Sequence, residues 1–387
     1  MTDESLPAVF DDPGIAARRL AYEALCRIAE KGAYANLVLS PMLDNSTLSD
    51  RDRRFATELV YGTTRMMAAC DHLVERFLLR EVDPEVRVLL RLGAYQLHFL
   101  ETPPHAAVDA TVEIAPKKVR GFVNAILRRV SDTKVEWPDD ATWLSYPQWI
   151  IDRLTAEHGA DDTVAMLARM NVAPSVSERP DGYVQDIGSQ WVVDAVEAEV
   201  NHRVVDVCAA PGGKATALAA TGATVIAGDR RRSRAGLVQA NAQRLQSDTL
   251  HVVVADASAA PFQRATFDRV LVDAPCSGIG VLRRRADARW RLEPEAPERL
   301  AELQIELLRE AATLVAPGGM LVYSVCTILA AETTDVVTAA PVVEALGEFE
   351  TLPNPDADRW RPWGSGVIVL PHDHDTDGMS MFRWRRR

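Results

Sequence analysis

Five cysteines are spread over 387 residues, at positions 26, 70, 208, 276 and 326, and two of them stand where chemistry is expected. Cys276 lies in Asp-Ala-Pro-Cys-Ser-Gly (273–278) and Cys326 in Tyr-Ser-Val-Cys-Thr (323–327), each just after an apolar run that reads as a parallel strand. In a doubly wound α/β fold, ligands bind beyond the carboxyl ends of the strands, so both thiols belong to the rim where reacting groups collect. A thiolate is a strong nucleophile, and a pair of thiols on that rim suggests covalent chemistry. An isolated cysteine is otherwise a small hydrophobe, the reading kept for Cys26, Cys70 and Cys208 as nucleophiles. Residue type alone does not rank Cys276 against Cys326.

A second pattern precedes them. A strand at 203–207 runs into Cys208, Ala209, Ala210, Pro211, Gly212, Gly213 and Lys214 and then into a helix, so small residues bring the backbone close to a ligand. The pattern is neither Gly-x-Gly-x-x-Gly nor the Walker sequence, which favours a compact cofactor such as S-adenosylmethionine over a dinucleotide or triphosphate. Asp229 ends the next strand, where a carboxylate accepts from ribose hydroxyls. Asp256 ends the third, positioned for an adenine amine, and Asp273 ends the fourth. One aspartate at a strand end is commonly a turn or cap residue, but three at successive ends point to a ligand. Asp273-Ala-Pro-Cys276 also differs from the Asp/Asn-Pro-Pro-aromatic tetrapeptide of amino-group methyltransferases, since a thiol replaces the ring. That thiol suits attack on carbon 6 of a pyrimidine, which activates carbon 5 toward a sulfonium methyl donor before a base removes the carbon 5 proton.

The elements that must position these groups fall into two patterns. Apolar residues recur at helical spacing from Gly14 to about Val130, as in Leu20, Ala24 and Ile28 and again in Val86, Leu89, Leu90 and Leu97, predicting about five or six helices. Pro41, Asp83-Pro84 and Thr102-Pro103-Pro104 mark their expected breaks. Residues 133–180 read as a linker with short helices, including a helix-like run over 148–170. Beyond 181, short apolar runs at 203–207, 224–227, 252–255, 269–272 and 320–324 alternate with helical stretches, one over 295–315, and predict a parallel sheet. A chain of this length is expected to form two domains, and its 47% hydrophobic residues can build a core in each. The formal charge of −12 excludes a generally basic nucleic-acid coat but not a local arginine track. Widely spaced cysteines, an acidic amino-terminal Met-Thr-Asp-Glu-Ser-Leu-Pro and the lack of any apolar run near about 18 residues predict a cytoplasmic protein with reduced thiols and no membrane partner.

Taken together, the motifs resemble the Sun family of RNA cytosine-5 methyltransferases. The matching residues are Gln185-Asp186, Asp206 to Lys214, Asp273 to Gly280, Arg283-Arg-Arg285, Arg289-Trp290, Pro317 to Gly319 and Tyr323 to Thr327. Pro104 to Val108 and Gly121 to Arg128 resemble the NusB-like RNA-binding domain that precedes the catalytic domain in that family. The resemblance implies an all-α NusB-like domain over 14–132, a linker over 133–180 and an α/β doubly wound, Rossmann-like methyltransferase domain over 181–387. It further implies Cys326 as nucleophile, Cys276 in product release, Asp273 at the cytosine edge and Lys214 supporting that end of the pocket. S-adenosylmethionine would be held by Cys208 to Lys214, Asp229, Asp256 and Asp273. The implied substrate is RNA, most of all small-subunit (16S) ribosomal RNA. A transfer RNA enzyme and a noncatalytic RNA-binding assembly factor are the alternatives. The family usually carries an additional small RNA-binding subdomain where this chain has only the short stretch from Asn171 to Tyr183.

Two other clusters invite a role. Arg283 to Arg285 with Arg289 and Arg291 follows the Cys276 loop and suits phosphate binding, with Trp290 stacking on a base. Arginines 230–232 with Arg234, and 385–387, read as solvated faces. His372-Asp-His-Asp375 has metal-ligand residue types but no flanking ligand spacing, so it reads as a hydrated turn and no metal is expected.

Overall fold

A computed structural model describes residues 13–31, 33–100 and 102–387. The amino-terminal segment used above to argue against export, residues 1–7, lies outside them. The chain divides into two compact units, one comprising residues up to Ile151 together with Arg283–Arg291, the other Asp152–Leu282 and Leu292–Arg387.

The first unit is helical. It contains α1 (Pro13–Lys31), α2 (Ala35–Asp44), α3 (Asp50–Arg65), α4 (Met67–Glu75), α5 (Pro84–His98), α6 (Pro104–Ile114), α7 (Arg120–Asp132) and the short α8 (Asp140–Leu144). Pro84 and Pro104 each occupy the first turn of a helix, where the missing amide hydrogen costs nothing and the fixed φ is already helical. Pro41 departs from expectation. It lies inside α2, whose last residue is Asp44, and its own carbonyl still accepts from the Asn45 amide at 3.1 Å. So close to the helix end, proline removes one hydrogen bond without breaking the turn. Leu59, Leu73, Leu89, Leu90 and Leu127 form the fully buried centre of this unit, with Cys70 among them.

Within Arg283–Arg291, burial corrects the phosphate-track reading for Arg283 and Arg289. Arg283 and Arg289 are almost wholly buried within the helical unit. The Arg289 guanidinium sits 3.7 Å from the Tyr146 ring centroid and donates to the carbonyls of Arg65 at 3.3 Å and Ser145 at 3.2 Å. Trp290 Nε1 donates to the Thr64 carbonyl at 3.0 Å. Burial lowers the Arg289 pKa to about 10, which still leaves it charged near neutrality. This charge thus braces backbone carbonyls. Arg289→Ala should destabilise the helical unit by about 3 kcal/mol, because it strips those carbonyls of a charged donor and leaves a void. A thermal unfolding midpoint equal to that of the unsubstituted protein would refute this.

The second unit is built on one nine-stranded mixed sheet in the order β3-β2-β1-β4-β5-β9-β8-β7, with β6 also paired to β9. Its strands are β1 (Arg203–Asp206), β2 (Thr224–Asp229), β3 (Leu250–Val254), β4 (Phe267–Asp273), β5 (Val315–Val325), β6 (Phe349–Thr351), β7 (Arg361–Trp363), β8 (Gly366–Val369) and β9 (Met379–Arg386). The first five are parallel, as the alternation predicts, whereas β9 runs antiparallel to β5 and extends the sheet. Alternation along the strands divides the core in two. Val204, Val225, Leu271, Met320 and Val322 serve one layer, and Val205, Val270, Val272, Leu321 and Tyr323 the other.

Helices cover both layers. The run over 148–170 is two helices, α9 (Gln148–His158) and α10 (Ala160–Met170), broken at Gly159 with φ of +84°. After them come α11 (Ile187–Val196), α12 (Gly213–Ala219), α13 (Arg232–Arg244), α14 (Ala296–Leu314), α15 (Thr334–Thr338), α16 (Ala340–Ala345) and α17 (Pro371–His374). The hydrogen-bonded order turns outward in both directions from the β1–β4 pair, so the ends of β1 and β4 flank the switch point where such sheets bind ligands. Among the described residues no helix is long and apolar enough to cross a membrane.

Candidate active site

Chain reversal after β1 builds the first wall. Gly212 takes φ of +109°, and a Cβ there would stand 3.1 Å from the Val238 backbone, so glycine alone lets this loop lie against α13. The loop carbonyls are held from outside: Arg234 Nη2 donates to Ala210 at 2.9 Å, Asn241 Nδ2 to Pro211 at 2.9 Å and Arg179 Nη1 to Gly213 at 2.5 Å. Asp229, nearly buried at the end of β2, accepts from the Arg231 amide at 2.9 Å and from Arg234 Nε at 3.0 Å. Asp256 is exposed, and its Oδ1 caps the following turn by accepting from the Ser258 amide at 3.0 Å and hydroxyl at 2.8 Å. Those bonds hold its carboxyl below the ordinary range.

Asp206, at the end of β1, is fully buried, and its Oδ2 has no hydrogen-bond partner. Burial first, and then the Asp273 charge, push its carboxyl from 3.8 up to about 7. A buried, unpartnered oxygen beside a glycine-lined loop and a buried strand-end carboxylate fits a cofactor carrying ammonium and ribose donors. The same shift has a pH signature. Between about pH 4 and 7 the folded chain binds a proton at Asp206 that the unfolded chain has released, so stability falls as pH rises through that window. Asp206→Asn should flatten the fall. Unfolding midpoints measured from pH 5 to 8 check it, and parallel curves for the two proteins would reject it.

The second wall joins the ends of β4 and β5. Lys214 Nζ donates to Asp273 Oδ2 at 2.7 Å, and Ser324 Oγ to Asp273 Oδ1 at 2.8 Å. Burial would lower the Lys214 pKa, but the Asp273 charge and hydrogen bond outweigh it, and the net shift is upward. Cys276 and Cys326 meet with their sulfurs 3.3 Å apart. The contact with Cys326, followed by burial and the charges of Cys326, Glu332 and Asp273, raises the Cys276 thiol well above its ordinary value. Cys208 is raised by burial and by the charges of Asp206, Asp273 and Asp229.

The two thiol loops are locked to their surroundings. The Gly280 amide donates to the Cys326 carbonyl at 3.1 Å, and the Gly378 amide to the Gly280 carbonyl at 2.8 Å. A Cβ at position 280 would come within 2.1 Å of the Gly378 oxygen, so this approach admits only glycine. Of the residues singled out from sequence, the fold joins Lys214 to Asp273 and Cys276 to Cys326, while Asp256 pairs outward with Arg230 at 3.9 Å. Sequence reasoning passed over Asp206 as a site residue, together with Ser324, Arg179, Arg234 and Asn241. Asp206 opens the Asp206 to Lys214 motif and was legible there. The others are linked to the site only by the fold. The His372 cluster is occupied by its own protein partners: His372 Nε2 lies 3.1 Å from Asp162, Asp373 pairs with Arg361, and Asp375 with Arg169.

A mixed sheet whose first five strands are parallel, with a glycine-lined loop after β1 and a carboxylate ending β2, defines a Rossmann-like nucleotide-cofactor fold, here in a chain that also carries a helical unit. Residues 193–384 match the family described as 16S rRNA methyltransferase RsmB/F, and residues 15–132 match the NusB family. The probable ribosomal RNA small subunit methyltransferase B of Bacillus subtilis is 31% identical over 96% of this chain and 98% of its own. Ribosomal RNA small subunit methyltransferase B of Thermus thermophilus is 37% identical, covering 95% of this chain and 97% of its own. The solved structure PH0851 shares the fold, with a TM-score of 0.77 and 20% identity over 97% of this chain and 98% of that one. The chain belongs to the RsmB/F methyltransferase family, and its cofactor is S-adenosylmethionine.

Proposed function

We propose that this protein methylates carbon 5 of cytosine in RNA, with small-subunit (16S) ribosomal RNA as substrate, through a covalent adduct on Cys326. The observation that carries the reading is the pair of strand-end thiols 3.3 Å apart, beside a carboxylate held by Lys214. Methylating carbon 5 requires a nucleophile at carbon 6 and then removal of the carbon 5 proton, and two thiols meet both needs. The names of the Bacillus and Thermus relatives support ribosomal RNA as the target.

S-adenosylmethionine, when bound, supplies the methyl group as a sulfonium donor. Cys208 to Lys214, Asp206 and Asp229 would hold it, with Asp273 toward the base, while Asp256, turned outward to Arg230, is left out of this set. Asp273, acting as a carboxylate, accepts the exocyclic amine of cytosine, a donor that uracil lacks. The Cys326 thiolate adds to carbon 6, and the electron pair released onto carbon 5 would form the new carbon–methyl bond as the donor's sulfonium–methyl bond breaks and its pair returns to the departing thioether sulfur. Cys276, directly or through another base, takes the carbon 5 proton. The pair from that C–H bond restores the ring double bond, and the Cys326–carbon 6 bond breaks to return the thiolate. The target base must leave its stack for attack on its face, which favours looped or single-stranded RNA. Five free cysteines fit a reducing cytoplasm as the place of work.

The test is transfer of labelled methyl from S-adenosylmethionine to ribosomal RNA lacking the modification, followed by digestion to nucleosides. Label in 5-methylcytidine of 16S RNA is the expected result. Label confined to transfer RNA would move the substrate, and no transfer to any RNA would overturn the enzymatic reading.

A further inference from the structure

One fully buried carboxylate outside the assigned chemistry touches both thiol loops. Glu332 follows β5 by seven residues and is 0% exposed. Its Oε1 accepts from the Ser277 amide at 2.7 Å and from Gln304 Nε2 at 3.2 Å, and its Oε2 accepts from the Ser277 hydroxyl. Ser277 Oγ in turn lies 3.2 Å from Thr327 Oγ1. Ser277 directly follows Cys276, and Thr327 directly follows Cys326. The Glu332 backbone is tied as well, because Tyr323 Oη on β5 donates to its carbonyl at 2.8 Å and also to Gln304 Oε1 at 3.0 Å.

A buried carboxylate is costly unless its lone pairs are satisfied, so it persists where several donors converge on it. Burial raises the Glu332 pKa, while the donors from Ser277, Gln304 and Thr327 oppose that shift. Apolar packing could fill the same volume, but it could not join the residues that follow two cysteines 50 positions apart in the chain. We infer that Glu332 is a positioning residue for the reaction: through Ser277 and Thr327 it sets the separation and aim of Cys276 and Cys326. The inference rests on the covalent cytosine-5 reading given above.

The full-length protein is assayed with RNA carrying 5-fluorocytosine, which has no carbon 5 proton to lose and retains the adduct, alongside steady-state methyl transfer to unmodified RNA. In Glu332→Gln, an isosteric change that converts one acceptor into a donor, adduct formation and kcat should fall about 100-fold while KM for S-adenosylmethionine stays within about twofold, as expected for misaligned reacting groups over an intact cofactor site. Normal adduct formation in Glu332→Gln overturns the inference and leaves the covalent reading intact. A rise in cofactor KM in step with the fall in kcat also overturns it, since general loosening would do that. Failure of the unsubstituted protein to form any adduct overturns the covalent reading, and the inference with it. If Glu332→Gln does not fold, Ser277→Ala tests the same link: about a tenfold slower adduct supports it, and an unchanged rate overturns it.

Discussion

Cys326→Ala should abolish methyl transfer, with a loss on the order of 10⁴-fold or more, whereas Cys276→Ala should form the RNA adduct and fail to release it. The asymmetry follows from the roles proposed for the two thiols, and their contact makes them exclusive as charged groups. At 3.3 Å they share a hydrogen bond, and charge on one disfavours charge on the other. Cys276 is raised first by its contact with Cys326, then by burial, and further by Glu332 and Asp273. With Cys326 as the proposed nucleophile, Cys276 is the partner that keeps its proton during attack. Once Cys326 sulfur is bound to carbon 6 as a neutral thioether, its charge and its hydrogen bond no longer oppose ionisation of Cys276, which releases its own proton to water and becomes competent as a base or proton relay. Removal of Cys276 thus spares addition and blocks elimination. The measurement is gel retention of labelled RNA on each variant, with methyl transfer read in parallel. An adduct that accumulates on Cys326→Ala and is absent from Cys276→Ala would exchange the two roles.

Much of this site was legible before the fold was known, because its motifs are local. Cys208 to Lys214, Asp229, Asp273 and both cysteines lie within a few residues of apolar runs whose ends place them on one rim. The parallel direction of the first five strands was legible from their alternation with helices, though their order was not. β9 was not. Met-Ser-Met-Phe-Arg-Trp-Arg-Arg (379–386) carries arginines, and its strand character comes from pairing with β5, β6 and β8, which nothing local announces. Arg283 and Arg289 were misjudged because a run of arginines normally faces water. Here the Ser145 carbonyl and the Tyr146 ring take the Arg289 guanidinium, and Arg65 Nε donates to the Arg283 carbonyl, partners that only the tertiary fold can assemble. Glu332 is the same lesson in the other unit, since its donors come from residues 277 and 304.

Lys214→Met should cost about 100-fold in methyl transfer and about 3 kcal/mol in stability, for a single electrostatic reason. Lys214 is almost fully buried and holds Asp273 at 2.7 Å, so deleting the ammonium leaves a mostly buried carboxylate with Ser324 as its remaining partner. The Lys214 charge also works to lower the pKa of Asp206, which already stands near 7. Without it the Asp206 carboxyl rises further, and the Asp273 carboxylate loses its ion-pair partner. A second substitution separates the two costs. In Lys214→Met combined with Asp273→Leu, an apolar pair of similar volume removes the uncompensated charge, so most of the stability should return, whereas activity should not. Denaturant midpoints and methyl-transfer rates on the two single variants and the double variant decide the matter. If activity recovers together with stability in the double variant, the pair serves packing and has no part in holding cofactor or base.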